Sequence, residues 1–273
     1  MYNTHTGELI NITSSQSYIG IVRVDRRGNI YYVLGGLCEP NGIYLIDSKS
    51  FEEVCLYETG EGYYIGSMDL DVRNGVVYFS PVTYEELRTP PQESSSKLVR
   101  LVDGEVEVLA EVNGSIWDMV VSSNPTLGVF FTVTRISDYA CILQYVNGEV
   151  RMVAERVTPY NPYFLYITLG KDGSLYWVYR ERTDFEDVDQ WGYLEVARIP
   201  LSRLKKGGEP EILYSQRFED KGVYGWLRTD SFINVFGRND LFFSMIYIYE
   251  EEGRIFENIL YWLNVRDGVL TPM

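Results

Sequence analysis

Three aspartates have the residue type and spacing that hydrolysis of a glycosidic bond requires. Asp69 and Asp71 stand two residues apart in the run MDLDV, and Asp118 follows in SIWDM. Residues two apart on a β-strand point to the same side, so the first two carboxylates are predicted to share a face. Two carboxyl groups about 5–9 Å apart can serve as nucleophile or base and as acid. The alternative interpretation is that each aspartate bonds to a turn or faces solvent.

A second acidic group has side chains suited to calcium. The stretch TDFEDVDQ contains the carboxylates of Asp184, Asp187 and Asp189. It lacks the glycine that allows an EF-hand loop to turn sharply, so a solvated acidic loop is favoured over a calcium site. The sequence therefore predicts no bound metal and no cofactor.

Several other chemistries lack their essential residues. His5 is the only histidine, so Ser-His-Asp and Cys-His catalysis and histidine-ligated metals have no complete residue set. The glycine-rich signatures GxSxG and GxGxxG and the P-loop are also missing. Any hydrolase activity would have to use carboxylates and tyrosines.

The elements that position these residues are short strands. The stretch 18–60 shows runs of β-branched and aromatic residues separated by Gly, Asn, Pro and Ser, which indicates four strands joined by turns. The same order of strands and turns recurs four more times, at intervals of about 45–65 residues. Asp103-Gly104 and Asn147-Gly148 predict two-residue hairpin turns, because both central residues of such turns need positive φ.

Five units of four strands resemble the blades of β-propellers, although no motif of a particular propeller family is present. The fold prediction is an all-β, five-bladed β-propeller in one domain, 1–273, closed by a strand at 7–15. The predicted blades are 18–60, 61–112, 113–157, 158–218 and 219–273. Five-bladed glycosidases resemble this layout, with acids on the first strands of successive blades. The alternative folds are an irregular β-sandwich and an α+β fold.

In a propeller, the loops between blades share one face with the loops between second and third strands. In this chain those loops are long and rich in aromatic and acidic residues, so they form the predicted binding face. Aromatic side chains there would stack on sugars or anchor a protein partner, and the alternative is packing between blades. The candidate binding residues are Tyr63, Tyr64, Trp117, Tyr160, Tyr163, Trp191, Tyr224 and Trp226.

Composition limits the possible partners. The formal net charge is −15, which disfavours nucleic acid and anionic membrane surfaces. No stretch approaches the roughly 18 apolar residues of a membrane helix, and no signal peptide is recognised. The expected location is therefore cytoplasmic or virion-associated.

Scarce Gln and a preference for Arg over Lys suggest a thermophilic source. The three cysteines lack CxxC spacing, so no zinc site is predicted. The sequence leaves undecided whether Cys38 and Cys55 form a disulfide bridge.

These observations favour a non-catalytic binding or scaffold protein, whose aromatic and acidic loop face binds a protein or carbohydrate partner. One alternative is a carboxylate-dependent glycoside hydrolase or a sugar-binding propeller. Another is a structural virion protein of an archaeal virus. The oligomeric state is left open.

Overall fold

The computed structural model describes residues 19–36, 39–83, 95–135, 138–158, 162–170, 172–182, 191–204, 208–217, 234–235, 240–250, 254–264 and 269–272. Twenty β-strands and one helix of 4 residues, α1 (Leu201–Leu204), lie in these ranges. The all-β prediction is confirmed, and so short a helix argues against the α+β alternative. Within these ranges no helix has the length and apolar character needed to cross a bilayer.

The strands form four-stranded antiparallel sheets, and each sheet contains four consecutive strands in chain order. The described residues contain five such sheets, which we number 1 to 5 along the chain. They are divided between two compact units. Sheets 1 and 2 belong to the first unit, except for Ser95 and the residues from Val112 onward, which belong to the second unit together with sheets 3 to 5.

In the first unit, sheet 1 consists of β1 (Ile19–Val24), β2 (Ile30–Gly36), β3 (Glu39–Ile46) and β4 (Glu53–Glu58). Sheet 2 consists of β5 (Tyr63–Asp71), β6 (Val76–Thr83), β7 (Ser95–Val102) and β8 (Glu105–Asn113). Apolar residues that alternate along β2, β3 and β5 to β7 meet in one core, in which Ile43 and Phe79 are fully buried. Burial of such a side chain contributes roughly 1.5–3 kcal/mol.

In the second unit, sheet 3 consists of β9 (Ser115–Val121), β10 (Val129–Arg135), β11 (Tyr139–Val146) and β12 (Glu149–Val157). Sheet 4 consists of β13 (Tyr163–Leu169), β14 (Leu175–Arg182), β15 (Trp191–Ile199) and β16 (Glu211–Arg217). Sheet 5 consists of β17 (Asn234–Val235), β18 (Asp240–Glu250), β19 (Arg254–Asn264) and β20 (Val269–Pro272). Sheets 3 and 4 share a core that contains Phe130, Ile142 and Trp177.

The predicted hairpin turns are confirmed by the backbone angles. φ is 49° at Asp103 and 82° at Gly104, and it is 54° at Asn147 and 84° at Gly148. Both central residues are therefore left-handed in each turn, as a two-residue hairpin of this type requires. These turns fix the register of β7 with β8 and of β11 with β12.

The first strand of each of sheets 1 to 4 carries a β-bulge, which the sequence did not predict. In sheet 3, Met119 pairs with Phe131 and Ile116 pairs with Val133, so two residues of β9 face the single residue Thr132. Comparable register shifts occur in β1, β5 and β13. An extra residue bends the strand and redirects the side chains beside it.

Residues 1–18, which include the predicted closing strand 7–15, lie outside the described residues. Closure of a ring of five blades, the single domain 1–273 and the predicted blade boundaries therefore stay predictions.

Candidate functional site

Asp69 is a buried residue of β5 whose carboxylate is held by an arginine. Its Oδ1 accepts a hydrogen bond from Nε of Arg23, on β1, at 2.6 Å. The side chain of Asp69 is 12% exposed and that of Arg23 is 32% exposed. This ion pair joins the first strands of sheets 1 and 2.

Asp71 ends β5 and organises the turn that follows. Its carboxylate accepts the backbone N–H of Arg73 at 3.0 Å and the side-chain amide of Asn74 at 2.7 Å. Its carbonyl accepts the N–H of Gly75 at 2.8 Å. These are the bonds that the turn-bonding alternative predicts for Asp71.

Asp118 lies in the β-bulge of β9, next to Trp117. Its Oδ1 accepts the N–H of Met119 and its Oδ2 accepts the N–H of Ile167, each at 2.9 Å. Its own N–H donates to Oγ1 of Thr132 at 3.0 Å, which satisfies a backbone donor that the bulge removes from the ladder. Since Ile167 belongs to β13, Asp118 also joins sheet 3 to sheet 4.

Each of the three predicted acids thus has a structural partner in the described part of the chain. Although Asp69 and Asp71 lie two residues apart on β5, they have different roles. Asp69 pairs with an arginine, and Asp71 bonds to the turn that follows it. A catalytic pairing of these acids stays a prediction.

We expect Asp69→Asn to lower the free energy of unfolding by about 1–3 kcal/mol, because Arg23 would lose a charged hydrogen-bond acceptor. Asp71→Asn is the matched control, since asparagine keeps an acceptor oxygen for the turn and should change stability by about 0.5 kcal/mol or less. Urea unfolding of both variants measures the difference. Equal losses in the two variants would contradict the structural role of Asp69.

The aromatic candidates differ in exposure. Trp117 is 52% exposed in β9 and Tyr63 is 45% exposed at the start of β5, while Tyr64 beside it is half-buried. Tyr163 begins β13 and Trp191 begins β15, but the structure does not describe their side chains. Tyr160, Tyr224 and Trp226 lie outside the described residues. Trp117 is therefore the largest exposed aromatic whose surroundings are known.

The calcium candidates Asp184, Asp187 and Asp189 also lie outside the described residues. In the part of the chain that is described, no group of three or more His, Cys, Asp or Glu side chains is arranged to hold a metal ion. Cys55 is exposed and free, and Cys141 is buried and free. Cys38, whose bridge to Cys55 the sequence left open, lies outside the described residues.

A buried polar network in the second unit was missed by the sequence interpretation. Two Tyr-X-Glu triplets, Tyr179–Glu181 and Tyr193–Glu195, lie on the adjacent strands β14 and β15. The register pairs Tyr179 with Glu195 and Glu181 with Tyr193. Tyrosine and glutamate therefore alternate both along each strand and across the two strands, on one face of sheet 4. The repeated triplet was the signal in the sequence, but only the register reveals the pairing.

Hydrogen bonds connect the members of this network. The hydroxyl of Tyr179 donates to Oε2 of Glu181 at 2.9 Å, and that of Tyr193 donates to Oε2 of Glu195 at 3.0 Å. From β12 of sheet 3, Nη2 of Arg156 donates to Oε1 of Glu195 at 2.7 Å. The guanidinium carbon of Arg156 also lies 5.3 Å from the centre of the Tyr179 ring, within range of a cation–π contact.

The electrostatics of the network favour neutral tyrosines. Burial raises the pKa of Tyr179, and the hydrogen bond to Glu181 raises it further. Burial and the nearby Glu195 carboxylate raise the pKa of Tyr193 in the same direction. Both hydroxyls therefore remain protonated donors at neutral pH. The side chain of Glu195 is only 3% exposed, and its bond to Arg156 joins sheet 3 to sheet 4.

Comparisons with known proteins show the fold but no family. No family model matches the chain, and no curated protein matches it. Among solved structures, an oligogalacturonate lyase from Vibrio parahaemolyticus has a TM-score of 0.65 and 12% identity, covering 99% of this chain and 69% of the other. TolB from Acinetobacter baumannii has a TM-score of 0.53 and 16% identity, covering 96% and 56%.

A third similar structure is a GH74 enzyme from Niastella koreensis, with a TM-score of 0.55 and 12% identity, covering 93% of this chain and 38% of the other. The chain thus spans about half or less of the length of TolB and the GH74 enzyme. These proteins have propeller-type folds, so the predicted resemblance to β-propellers is confirmed. At such low identity the likeness concerns the fold alone.

Proposed function

We propose that this protein is a sugar-binding β-propeller of five blades, closed by the strand 7–15, and that Trp117 is the main sugar-binding side chain. The observation that carries this proposal is the position of Trp117, which is 52% exposed in a bulge of a first strand. The neighbouring Asp118 is held by two backbone N–H groups and by Thr132, so the backbone below the indole is rigid. A rigid, exposed aromatic ring buries a large area against a sugar face at low entropic cost.

The names of two similar structures support a carbohydrate ligand rather than an unspecified partner. One is an oligogalacturonate lyase and another is a GH74 enzyme. Binding without hydrolysis is favoured for this chain, because Asp69, Asp71 and Asp118 are all engaged in structural hydrogen bonds. A general acid or base must be able to reach the substrate proton that it transfers.

The test is a screen for ligands, followed by one substitution. Oligogalacturonates and neutral oligosaccharides are added to the purified protein, and a sugar that binds raises the unfolding temperature by mass action. We then expect Trp117→Ala to weaken binding of that sugar at least tenfold by titration calorimetry, a loss of about 1.4 kcal/mol.

The matched control is Phe51→Ala. Phe51 is 51% exposed, almost as much as Trp117, but it lies at the turn between β3 and β4. Its loss should leave sugar affinity unchanged. Equal affinity of the wild type and Trp117→Ala, or no response to any sugar, would overturn the proposal. Release of reducing ends that is lost in Asp69→Asn and Asp118→Asn would support the hydrolase instead.

Binding of a protein partner through the aromatic side chains of the predicted loop face is the remaining candidate. Alanine at Trp191 and Trp226 tests it, because a protein partner that binds the predicted loop face would lose affinity in both variants. The scaffold, virion and thermophilic interpretations stay predictions.

A further inference from the structure

Three turns of the first unit share a sequence pattern. They join β1 to β2 (25–29), β3 to β4 (47–52) and β5 to β6 (71–75), and we call them the basic turns. Each begins with an aspartate and has a cationic residue two positions later, in Asp25-Arg26-Arg27, Asp47-Ser48-Lys49 and Asp71-Val72-Arg73. Together with Arg26, the repeat supplies four cations.

Each aspartate holds the backbone of the cationic residue that follows it. Its Oδ1 accepts the backbone N–H of Arg27 at 2.8 Å, of Lys49 at 2.9 Å and of Arg73 at 3.0 Å. A carboxylate that binds the backbone two residues ahead fixes the turn. None of the four cationic side chains takes part in the ion pairs found among the described residues. Their charged groups are therefore available to a ligand.

Hydrogen bonds also join the basic turns to one another. The N–H of Arg26 donates to the carbonyl of Val72 at 3.1 Å, which connects the first turn to the third. The hydroxyl of Ser48 donates to the carbonyl of Arg27 at 2.8 Å, and its N–H donates to Oδ1 of Asn29 at 3.0 Å. These bonds connect the second turn to the first. The three turns therefore lie side by side as one surface.

The exposed charges of this surface are mostly positive. Arg26, Arg27, Lys49 and Arg73 are all exposed, and Glu52 is the one exposed carboxylate within the basic turns. The three turn aspartates are half-buried, and their oxygens accept hydrogen bonds from the turns themselves. The basic turns thus present positive side chains to solvent in a chain whose net charge is −15.

The kind of cation and the charge of the whole chain favour one class of ligand. Three of the four cations are arginines, and a planar guanidinium can bind two oxygens of one phosphate group at once. An extended polyanion such as nucleic acid would carry further charges across the rest of an acidic protein. A compact anion avoids this cost, because repulsion from charges more than about 8 Å away is largely screened at physiological ionic strength.

We propose that the four cations of the basic turns bind a compact anion of two or three linked phosphate groups. The arginines would hold phosphate oxygens in bidentate contacts, and Lys49 would add a point charge. A free polyphosphate chain and the phosphate chain of a nucleotide share this chemistry. The site does not depend on sugar binding by Trp117, which belongs to the second unit.

The test is titration calorimetry at physiological ionic strength, in buffer free of divalent cations. We expect inorganic tripolyphosphate to bind at least tenfold more tightly than butane-1,2,3,4-tetracarboxylate, a compact anion of similar charge without phosphate groups. ATP that binds more tightly than tripolyphosphate would identify a nucleotide as the source, and weaker binding of ATP would identify a free chain. Equal affinity for the tetracarboxylate, no binding of tripolyphosphate, or tighter binding of a DNA oligonucleotide would overturn the proposal.

Substitutions locate the site. Arg27→Gln with Arg73→Gln should weaken tripolyphosphate binding at least tenfold. The variant should unfold in urea like the wild type, because the turn aspartates bind backbone N–H groups that glutamine retains.

Lys49→Gln and Lys97→Gln form a matched pair, since each removes one exposed lysine of the first unit. Lys97 lies on β7, four residues before Leu101, which pairs with Val77 beside the third basic turn. We expect Lys49→Gln to weaken tripolyphosphate binding and Lys97→Gln to leave it unchanged. Equal affinities of these two variants, or full affinity of the arginine double variant, would overturn the proposal.

Discussion

Arg156→Met is expected to lower the free energy of unfolding by about 3 kcal/mol, because it leaves the Glu195 carboxylate buried without its cation. The side chain of Glu195 is 3% exposed and that of Arg156 is 29% exposed. The partial exposure of the arginine places the expected loss at the lower end of the range for broken buried pairs. Guanidinium unfolding with linear extrapolation measures the change.

A double-mutant cycle identifies the cause of that loss. Replacing both partners, Arg156→Met with Glu195→Met, removes the buried charge together with its cation, so the double variant should be more stable than Arg156→Met alone. The expected coupling energy between the two sites is about 1 kcal/mol or more. A double variant no more stable than the single one would show that Arg156 acts through packing alone.

Arg100→Met is the control for loss of an arginine from an ion pair. Arg100 pairs with Glu107 at an exposed position, where the two side chains are 42% and 57% exposed. Exposed pairs contribute about 0–1 kcal/mol, so this variant should cost far less than Arg156→Met.

Gly128→Ala is expected to cost about 2–5 kcal/mol of stability for two reasons. The φ of Gly128 is +65°, where a residue with a Cβ loses roughly 1–2 kcal/mol. An added Cβ would also collide with the backbone carbonyl of Tyr145, which cannot move without disturbing the β10–β11 ladder. Steric overlap in a packed site typically adds about 1–3 kcal/mol.

Gly148→Ala separates the conformational cost of a positive φ from the steric cost of the added Cβ. Gly148 has a φ of +84°, but no atom lies within 4 Å of an added Cβ. Its substitution should therefore cost only the conformational part. Urea unfolding of the two variants gives the steric part as the difference, and similar losses would contradict the predicted collision with Tyr145.

Local features of the fold were predictable because neighbouring residues determine them. Alternating apolar residues and turn dipeptides such as Asn147-Gly148 indicated the strands and hairpins, since the side-chain period and positive φ are properties of short segments. Asp71 is a similar case, because the groups that it binds lie within four residues of it.

The polar contacts of the candidate site depend on residues far apart in the chain. Asp69 and Arg23 are 46 residues apart, Asp118 and Ile167 are 49 apart, and Arg156 and Glu195 are 39 apart. No pattern within one strand specifies such a partner. Strand register, bulges and the packing of one sheet on the next decide it.

By itself, the sequence determined the strand-and-turn pattern, the acidic charge and the lack of a histidine-based catalytic set. Only the tertiary structure decided that Asp69 meets an arginine, that Asp118 supports a bulge below an exposed Trp117, and that two Tyr-X-Glu triplets form one network. The physical reason is that periodicity sets which face of a strand a side chain occupies, whereas register and sheet packing set what that face contacts.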